Sequence, residues 1–281
     1  MKILVTGGAG FVGTNLCEKL NITNDVYSID NYSIGTINNH ISGVNYINGD
    51  IVEIFDILEN DFDVCYHLAG LSRIQPSFNN PDNTFHSNTL GTQRILDWCK
   101  TNNTKVIYSG SSSKHHNPYQ SPYALYKYLG EELCKMYREV YKMNIEIARF
   151  YNVYGPNEIV DGDWAALIGI WRRQIREGKS LTIVGDGEQR RDFTHVYDIV
   201  DGLIKISNSK NSHHDAWELG SGKNYSINDV ARIFVDKYNC NLNYVPNQKG
   251  NYRVTLREHN DAVEILGWKP QDRLKDYIEN L

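Results

Sequence analysis

The sequence predicts an α/β fold: a doubly wound parallel sheet of Rossmann type, followed by a smaller C-terminal α/β lobe. Three observations lead there. Short β-rich runs alternate with segments of helical spacing up to about residue 150. A glycine-rich turn, "VTGGAGFVG", connects the first strand to the first helix. After about residue 155 the rhythm loosens, and the turns "GDGE" (185–188) and "GSGK" (220–223) separate shorter elements.

Taken in order, "KILV" (2–5), "DVYSI" (25–29), "VNYI" (44–47), "DVCYHL" (63–68), "KVIYS" (105–109) and "IEIARF" (145–150) read as strands. Val12, Leu16 and Leu20 recur at helical spacing, as do Leu125, Leu129, Leu133, Met136 and Val140. Strands alternating with helices imply a parallel sheet covered on both faces. Residues 1–155 are expected to form the first domain and 156–281 the second lobe, with part of 186–210 packing back on the first. No internal repeat or low-complexity linker separates them, which predicts a tight interface. The polar run "SNSKNSHHD" (207–215) is expected to be an exposed loop.

The 281 residues suffice for one large or two closely joined domains. With 29 Lys+Arg against 34 Asp+Glu the formal charge is −5, and no run of five like charges occurs. Nucleic acid and membrane surfaces are therefore not expected partners. Five cysteines, odd in number and without C-x-x-C spacing, suggest neither disulfides nor a zinc knuckle and fit a reducing, cytoplasmic setting. "MKILVTGG" lacks the apolar run of a signal peptide, and no stretch has the length of a membrane span.

Gly7, Gly10 and Gly13 follow the first strand directly and open a helix. Such a turn lets backbone approach a pyrophosphate and offers it helix N-terminal N–H groups. Asp30 closes the second strand twenty residues after Gly10, where a carboxylate can bond a ribose 2′-hydroxyl and repel a 2′-phosphate. That points to NAD rather than NADP. The plainer reading is that Asp30 only starts the "DNYSIG" turn.

Tyr123 is the only one of nineteen tyrosines with a lysine four positions later, Lys127. Ser121 is a good N-cap and Pro122 a good first helical residue, which puts Tyr123 in the first turn and Lys127 on the same face. Half-ionising a phenol at pH 7 takes roughly 4 kcal/mol. One ammonium at about 4 Å supplies about that much at an effective dielectric near 20. Tyr123 is thus a candidate base for a hydroxyl proton, with a positively charged nicotinamide adding to the effect.

Beyond these motifs the chain contains "GDI" (49–51), "HLAG" (67–70), "NTLGT" (88–92), "YSGSS" (108–112), "SPYALYK" (121–127), "RFYNVYGP" (149–156), "GDGEQRRDF" (185–193), "GSG" (220–222) and "LGWKP" (266–270). Nearly end to end it resembles the extended short-chain dehydrogenase/reductase family, in particular its NAD-dependent sugar-nucleotide epimerases and dehydratases. The resemblance implies that Gly7, Gly10, Phe11, Val12, Gly13, Asp30, Asn31 and Asn88 bind the cofactor. It implies that Asp50 and Ile51 flank the adenine, that Leu68, Ala69 and Gly70 line the channel, and that Tyr123 and Lys127 complete the set, Lys127 on the nicotinamide ribose. Ser111 matches the residue that bonds the reacting hydroxyl; Ser109, Ser112 and Ser113 are alternatives. Asn152 and Arg191 match positions that grip a nucleotide diphosphate, with Arg190 the neighbouring candidate, and Ser112 belongs with the substrate contacts.

As the family is known, dehydratases carry an Asp-Glu pair after the catalytic threonine and decarboxylases a nearby glutamate. "SGSSSKHH" contains no acid. Its absence favours 4-epimerisation of a UDP-linked hexose or N-acetylhexosamine: C4 is oxidised by tightly bound NAD, the keto sugar turns over, and the other face is reduced. A 4-keto reductase is the rival within the class, and an inactive NAD-sensing protein the rival outside it. Relatives often dimerise through a four-helix bundle, here residues 88–101 and 122–142, so a homodimer is expected.

Three departures qualify the likeness. Only twelve positions separate Ser111 from Tyr123, so the loop over the sugar site is short and the pocket is expected to be open. "NQKGNYRVTLRE" (247–258) has Gln248 or Lys249 where an arginine is expected and Glu258 where an aspartate is; Arg253 is the substitute contact. Thr255 falls where some members have a bulky tyrosine, which would leave room for an N-acetyl group unless the alignment is shifted. The pairs His115–His116 and His213–His214 read as solvated loop residues rather than metal ligands, because adjacent histidines cannot readily face one ion.

Overall fold

In a computed structural model, which describes residues 1–59 and 61–281, the strands are β1 (Lys2–Thr6), β2 (Asp25–Asp30), β3 (Asn45–Asn48), β4 (Val64–His67), β5 (Lys105–Ser111), β6 (Ile145–Phe150), β7 (Asn152–Tyr154), β8 (Leu181–Val184), β9 (Arg190–His195), β10 (Trp217–Leu219), β11 (Asn224–Ser226) and β12 (Leu242–Val245). The helices are α1 (Phe11–Leu20), α2 (Ile54–Ile57), α3 (Ile74–Asn79), α4 (Pro81–Phe85), α5 (Gly91–Thr101), α6 (Pro122–Tyr141), α7 (Leu167–Arg176), α8 (Val196–Asn208), α9 (Ile227–Tyr238), α10 (Asp261–Leu266) and α11 (Leu274–Glu279). The six strands expected up to residue 150 lie within one or two residues of these bounds.

The main sheet has seven strands in the order β10-β6-β5-β4-β1-β2-β3, and every pairing in it is parallel. Its strands are apolar runs because helices cover both faces. Leu16, Leu203 and Trp268 share one buried cluster with β1 and β4 side chains. Ile95, Trp98, Cys134 and Tyr137 share the other. A third cluster, around Trp171, Ile183, Phe193 and Phe234, forms the core behind β8 and β9.

The chain crosses the expected boundary at 155 again. α8 contributes Ile199, Val200, Leu203 and Ile206 to the first cluster, and β10 is hydrogen-bonded to β6. Trp268 of "LGWKP" is wedged into the same cluster with its indole N–H donating to the Asp198 carbonyl at 2.8 Å.

One local expectation fails. The run 207–215 is not simply an exposed loop. α8 extends to Asn208, Ser207 and His213 are buried, and the His213 ring is bonded to Asp261 at 2.7 Å. In α6 the apolar stripe that signals the helix is not its buried face. Ala124, Lys127, Gly130, Glu131, Cys134 and Tyr137 are buried, whereas Met136 and Val140 are exposed. The sheet takes the face whose small residues allow close approach.

Candidate active site

Strand order reverses between β1 and β4, and the crevice outside the carboxyl ends of such strands is the natural ligand site of an open α/β sheet. Gly7, Gly10, Phe11, Val12 and Gly13 line that crevice. Gly7 has φ +72°, and a Cβ on it would come within 2.8 Å of Ala69 Cα. A Cβ on Gly13 would lie 2.1 Å from the Gly7 carbonyl oxygen. The turn therefore admits only glycine at these two points. The crevice it leaves, under the N-terminus of α1, has the shape and polarity that a dinucleotide pyrophosphate requires.

Asp30, Asn31, Asp50, Ile51, Leu68, Ala69 and Gly70 line the same cleft. The Asp30 carboxylate is buried and accepts N–H bonds from Ala9 (3.0 Å) and Tyr32 (2.8 Å). Burial pushes its pKa up, and the two amide donors pull it part of the way back. Asp30 thus starts the turn and also lines the cleft. Asn31 donates to Asp50 at 3.0 Å, which orients both side chains.

Asn88 is placed differently. It is buried in the π-helical turn His86–Leu90, where its amide accepts from Leu71 N (2.7 Å) and donates to Leu71 O (2.9 Å). It holds the strand-end backbone in position, and its neighbour Ser87 lines the cleft.

α6 presents the reactive pair as its start signals dictate: Ser121 Oγ accepts from Ala124 N at 3.1 Å, and Pro122 opens the helix. Lys127 faces the first cleft, with Nζ donating to the Ser109 carbonyl at 2.5 Å and lying 4.5 Å from the Tyr108 ring centre. Burial lowers its pKa to about 8, partly offset by Glu131. Below it His67 is held between Thr6 (2.8 Å) and Thr92 (3.1 Å), its pKa lowered to about 3 by burial and the Lys127 charge, so it is neutral.

Tyr123 lines a second cleft of about 780 Å³, a size that takes a small-molecule ligand. The two clefts share Phe11, Val12, Arg73, Phe150 and Glu158, so they are one continuous groove. The Tyr123 hydroxyl donates to Ser111 Oγ at 3.1 Å. Ser113 N–H and Oγ–H also donate to Ser111 Oγ, at 3.2 and 3.0 Å. Ser109 donates to the His67 carbonyl instead, and Ser112 lines the cleft. Of the four serines, geometry pairs Ser111 with the tyrosine.

The electrostatics correct one expectation. Burial pushes the Tyr123 pKa up; the Ser111 hydrogen bond and the charge of Arg73 pull it down without cancelling that effect. The cation acting on the phenol is Arg73, and the Lys127 ammonium is turned to Ser109. Arg73 lines both clefts, is anchored by Nε to the Trp164 carbonyl at 3.0 Å, and has no ion-pair partner among the described residues. Sequence reasoning passed over it, although it is the first cation after "HLAG".

Asn152, Arg191 and Thr255 all line the second cleft. Thr255 Oγ donates to Asn152 Oδ1 at 3.2 Å. Burial lowers the Arg191 pKa to about 10, which leaves it charged. Arg190 points elsewhere, bonded to Asn224. Arg253 is also elsewhere: it is exposed, paired with Asp186 at 2.8 Å, and borders a neighbouring depression. Gln248 and Tyr252 of the same segment do line the cleft.

The histidine pair 115–116 is not solvated. His115 bridges Glu218 (2.8 Å) and Glu258 (3.1 Å), and His116 stacks on Tyr252 at 3.9 Å. Behind them Arg149 binds Glu131 at 2.9 and 3.0 Å, and Glu131 accepts the Ser111 backbone N–H at 3.3 Å. Among the described residues, no group of three or more His, Cys, Asp or Glu could hold a metal ion, and no helix is long and apolar enough to cross a membrane.

Three comparisons relate this chain to known proteins. The sequence profile of the NAD dependent epimerase/dehydratase family matches residues 3–220. A putative UDP-glucose 4-epimerase of Methanocaldococcus jannaschii is 33% identical, covering 99% of this chain and 96% of its own. A UDP-N-acetylglucosamine 4-epimerase from Methanobrevibacter ruminantium, solved with UDP-N-acetylmuramic acid, superposes with TM-score 0.91 at 28% identity, covering 99% of this chain and 96% of that one. A UDP-glucuronic acid 4-epimerase from Bacillus cereus, solved with UDP-glucuronic acid and NAD, gives TM-score 0.86 at 29% identity, covering 99% and 97%.

Proposed function

Because the chain belongs to the NAD dependent epimerase/dehydratase family, we propose that it is a sugar-nucleotide 4-epimerase acting on a UDP-linked hexose or N-acetylhexosamine. The carrying observation is the Tyr123–Ser111 hydrogen bond, at 3.1 Å, in a groove continuous with the nucleotide cleft. In "SGSSSKHH" no carboxylate stands beside it to drive elimination or decarboxylation. Glu158, which lines both clefts, has its Oε1 tied to Arg172 and Tyr277, each at 3.1 Å, while its Oε2 is buried without a hydrogen-bond partner among the described residues.

In this reading Ser111 hydrogen-bonds the sugar 4-hydroxyl and passes orientation to Tyr123, which takes its proton. NAD supplies the oxidation at C4 and the return of reducing equivalents when bound in the first cleft. Lys127 holds the ribose side of that cleft, and Arg191 with Asn152 grips the diphosphate. Thr255, small and committed to Asn152, leaves space for a C2 acetamido group.

The test is to incubate the protein with UDP-hexoses, UDP-N-acetylhexosamines and UDP-hexuronates and follow epimer formation and cofactor balance. Interconversion at C4 without net NAD consumption is expected. Stoichiometric consumption of NADH with a 4-keto sugar would assign a reductase instead, and no turnover of any sugar nucleotide would refute the proposal.

A further inference from the structure

His115 lies four residues beyond Ser111, at the end of the turn Ser112–His115. Its Nε2 is 2.8 Å from Glu218 Oε1 on β10, and its Nδ1 is 3.1 Å from Glu258 Oε2. The Glu218 contact is a hydrogen bond and the Glu258 contact a charge contact; a neutral ring donating from Nε2 would turn its Nδ1 lone pair toward the Glu258 carboxylate, whereas an imidazolium presents positive charge to both. The ring is 14% exposed and Glu218 1%, so water is a poor substitute for the Glu218 bond.

The contacts extend to both walls of the sugar cleft. Glu218 also accepts from Arg149 at 3.1 Å and from the Tyr151 hydroxyl. Arg149 holds Glu131, and Glu131 holds the Ser111 N–H. On the other side, His116 stacks on Tyr252 with ring planes 12° apart, and Tyr252, Asn251 and Gln248 line the cleft. Two adjacent residues of the shortened loop thus join it to the 247–258 segment.

We infer that His115, as an imidazolium, is a positioning residue that clamps loop 112–120 to segment 247–258, so that the sugar cleft is assembled while the ring is protonated. Only the turnover readout rests on the sugar-nucleotide reading above. The charges facing the ring support the clamp. Burial opposes the imidazolium, as does Arg149, but the Glu218 hydrogen bond and the charges of Glu218 and Glu258 outweigh them, and the pKa is raised above 6.5. Burial, His115 and Arg191 lower the pKa of His116, which favours the neutral, stacking ring. A folded pKa above the unfolded one means that the clamp is fully present below the unfolded value and is lost as pH rises through the folded value.

The test uses the full chain with NAD bound. Histidine NMR titration should place His115 above its ordinary value of about 6.5. Amide protection in 112–120 and 247–258 should fall together as pH rises through that titration. In His115→Gln, protection should be low and flat over the same range, and kcat/KM should drop on the order of ten- to a hundredfold. Glu258 is half exposed, so Glu258→Gln spares the buried network should His115→Gln fail to fold; it should lower the His115 pKa and loosen 247–258. A His115 pKa at or below the ordinary value, or protection indifferent to pH and to both variants, would overturn the clamp. Turnover with a flat pH profile would then leave the epimerase reading standing without it. Absence of turnover alongside an intact titration would sink that reading and leave the clamp.

Discussion

The phenol of Tyr123 donates to Ser111 Oγ at 3.1 Å, across twelve residues of sequence and from a helix to the end of a strand. The bond fixes the phenol oxygen at the serine and puts both hydroxyls on the wall of the second cleft.

Tyr123→Phe removes that oxygen and keeps the ring. Epimerisation should fall by at least about 10²–10⁴, the usual contribution of a proton-transfer group. NAD affinity should stay within about threefold of wild type by fluorescence titration. Ser111→Ala should lose less, with the phenol still present but unguided.

Arg73→Met should move the acid limb of the kcat/KM profile to higher pH. The guanidinium lowers the Tyr123 pKa; without it the phenol ionises later, so the active form appears at higher pH. An unshifted limb would mean that Arg73 does not act on the tyrosine.

Lys127 has a folded pKa of about 8 against 10.5 for the unfolded chain. Between these values the unfolded chain holds a proton that the folded one has released, so this group's contribution to stability rises with pH across that window. The cofactor contact proposed for the charged Lys127 changes in the opposite sense. NAD affinity in wild type should weaken above about pH 8, and Lys127→Met should remove that dependence together with most of the affinity.

Thr255→Tyr should abolish turnover of UDP-N-acetylhexosamines while keeping that of the non-acetylated sugars. The new ring would occupy the cleft where the threonine now lies bonded to Asn152. Equal loss on both substrates would place Thr255 away from C2.

Met136 and Val140 are 39% and 62% exposed on α6, in line with the half-buried Leu129 and Leu133. These outward apolar residues are the ones that the expected helix bundle would cover. Sedimentation should give a homodimer, and the double variant Met136→Glu, Val140→Glu a monomer. A wild-type monomer would refute the helix-bundle expectation.

Much of this was legible in one dimension. Gly7 and Gly13 are readable because a turn that permits no Cβ has a fixed spacing, and Ser121-Pro122 is readable because capping is local. The six strands showed as apolar runs because a sheet covered on both faces needs no polar alternation. The face of α6 that is buried did not show: an apolar stripe signals a helix without saying which surface receives it.

What the sequence by itself determined was the six strands up to residue 150 with two of the helices between them, the glycine turn, and the start of the helix that carries Tyr123 and Lys127. Each rests on interactions within a few residues, where spacing is geometry. Only the tertiary structure decided that β10 completes the sheet, that Arg73 lines both clefts while the Lys127 ammonium bonds the Ser109 carbonyl, and that His115 meets Glu218 across 103 residues. Such contacts leave no periodic trace, because the partners are brought together by the packing of separate elements and not by any local conformational preference.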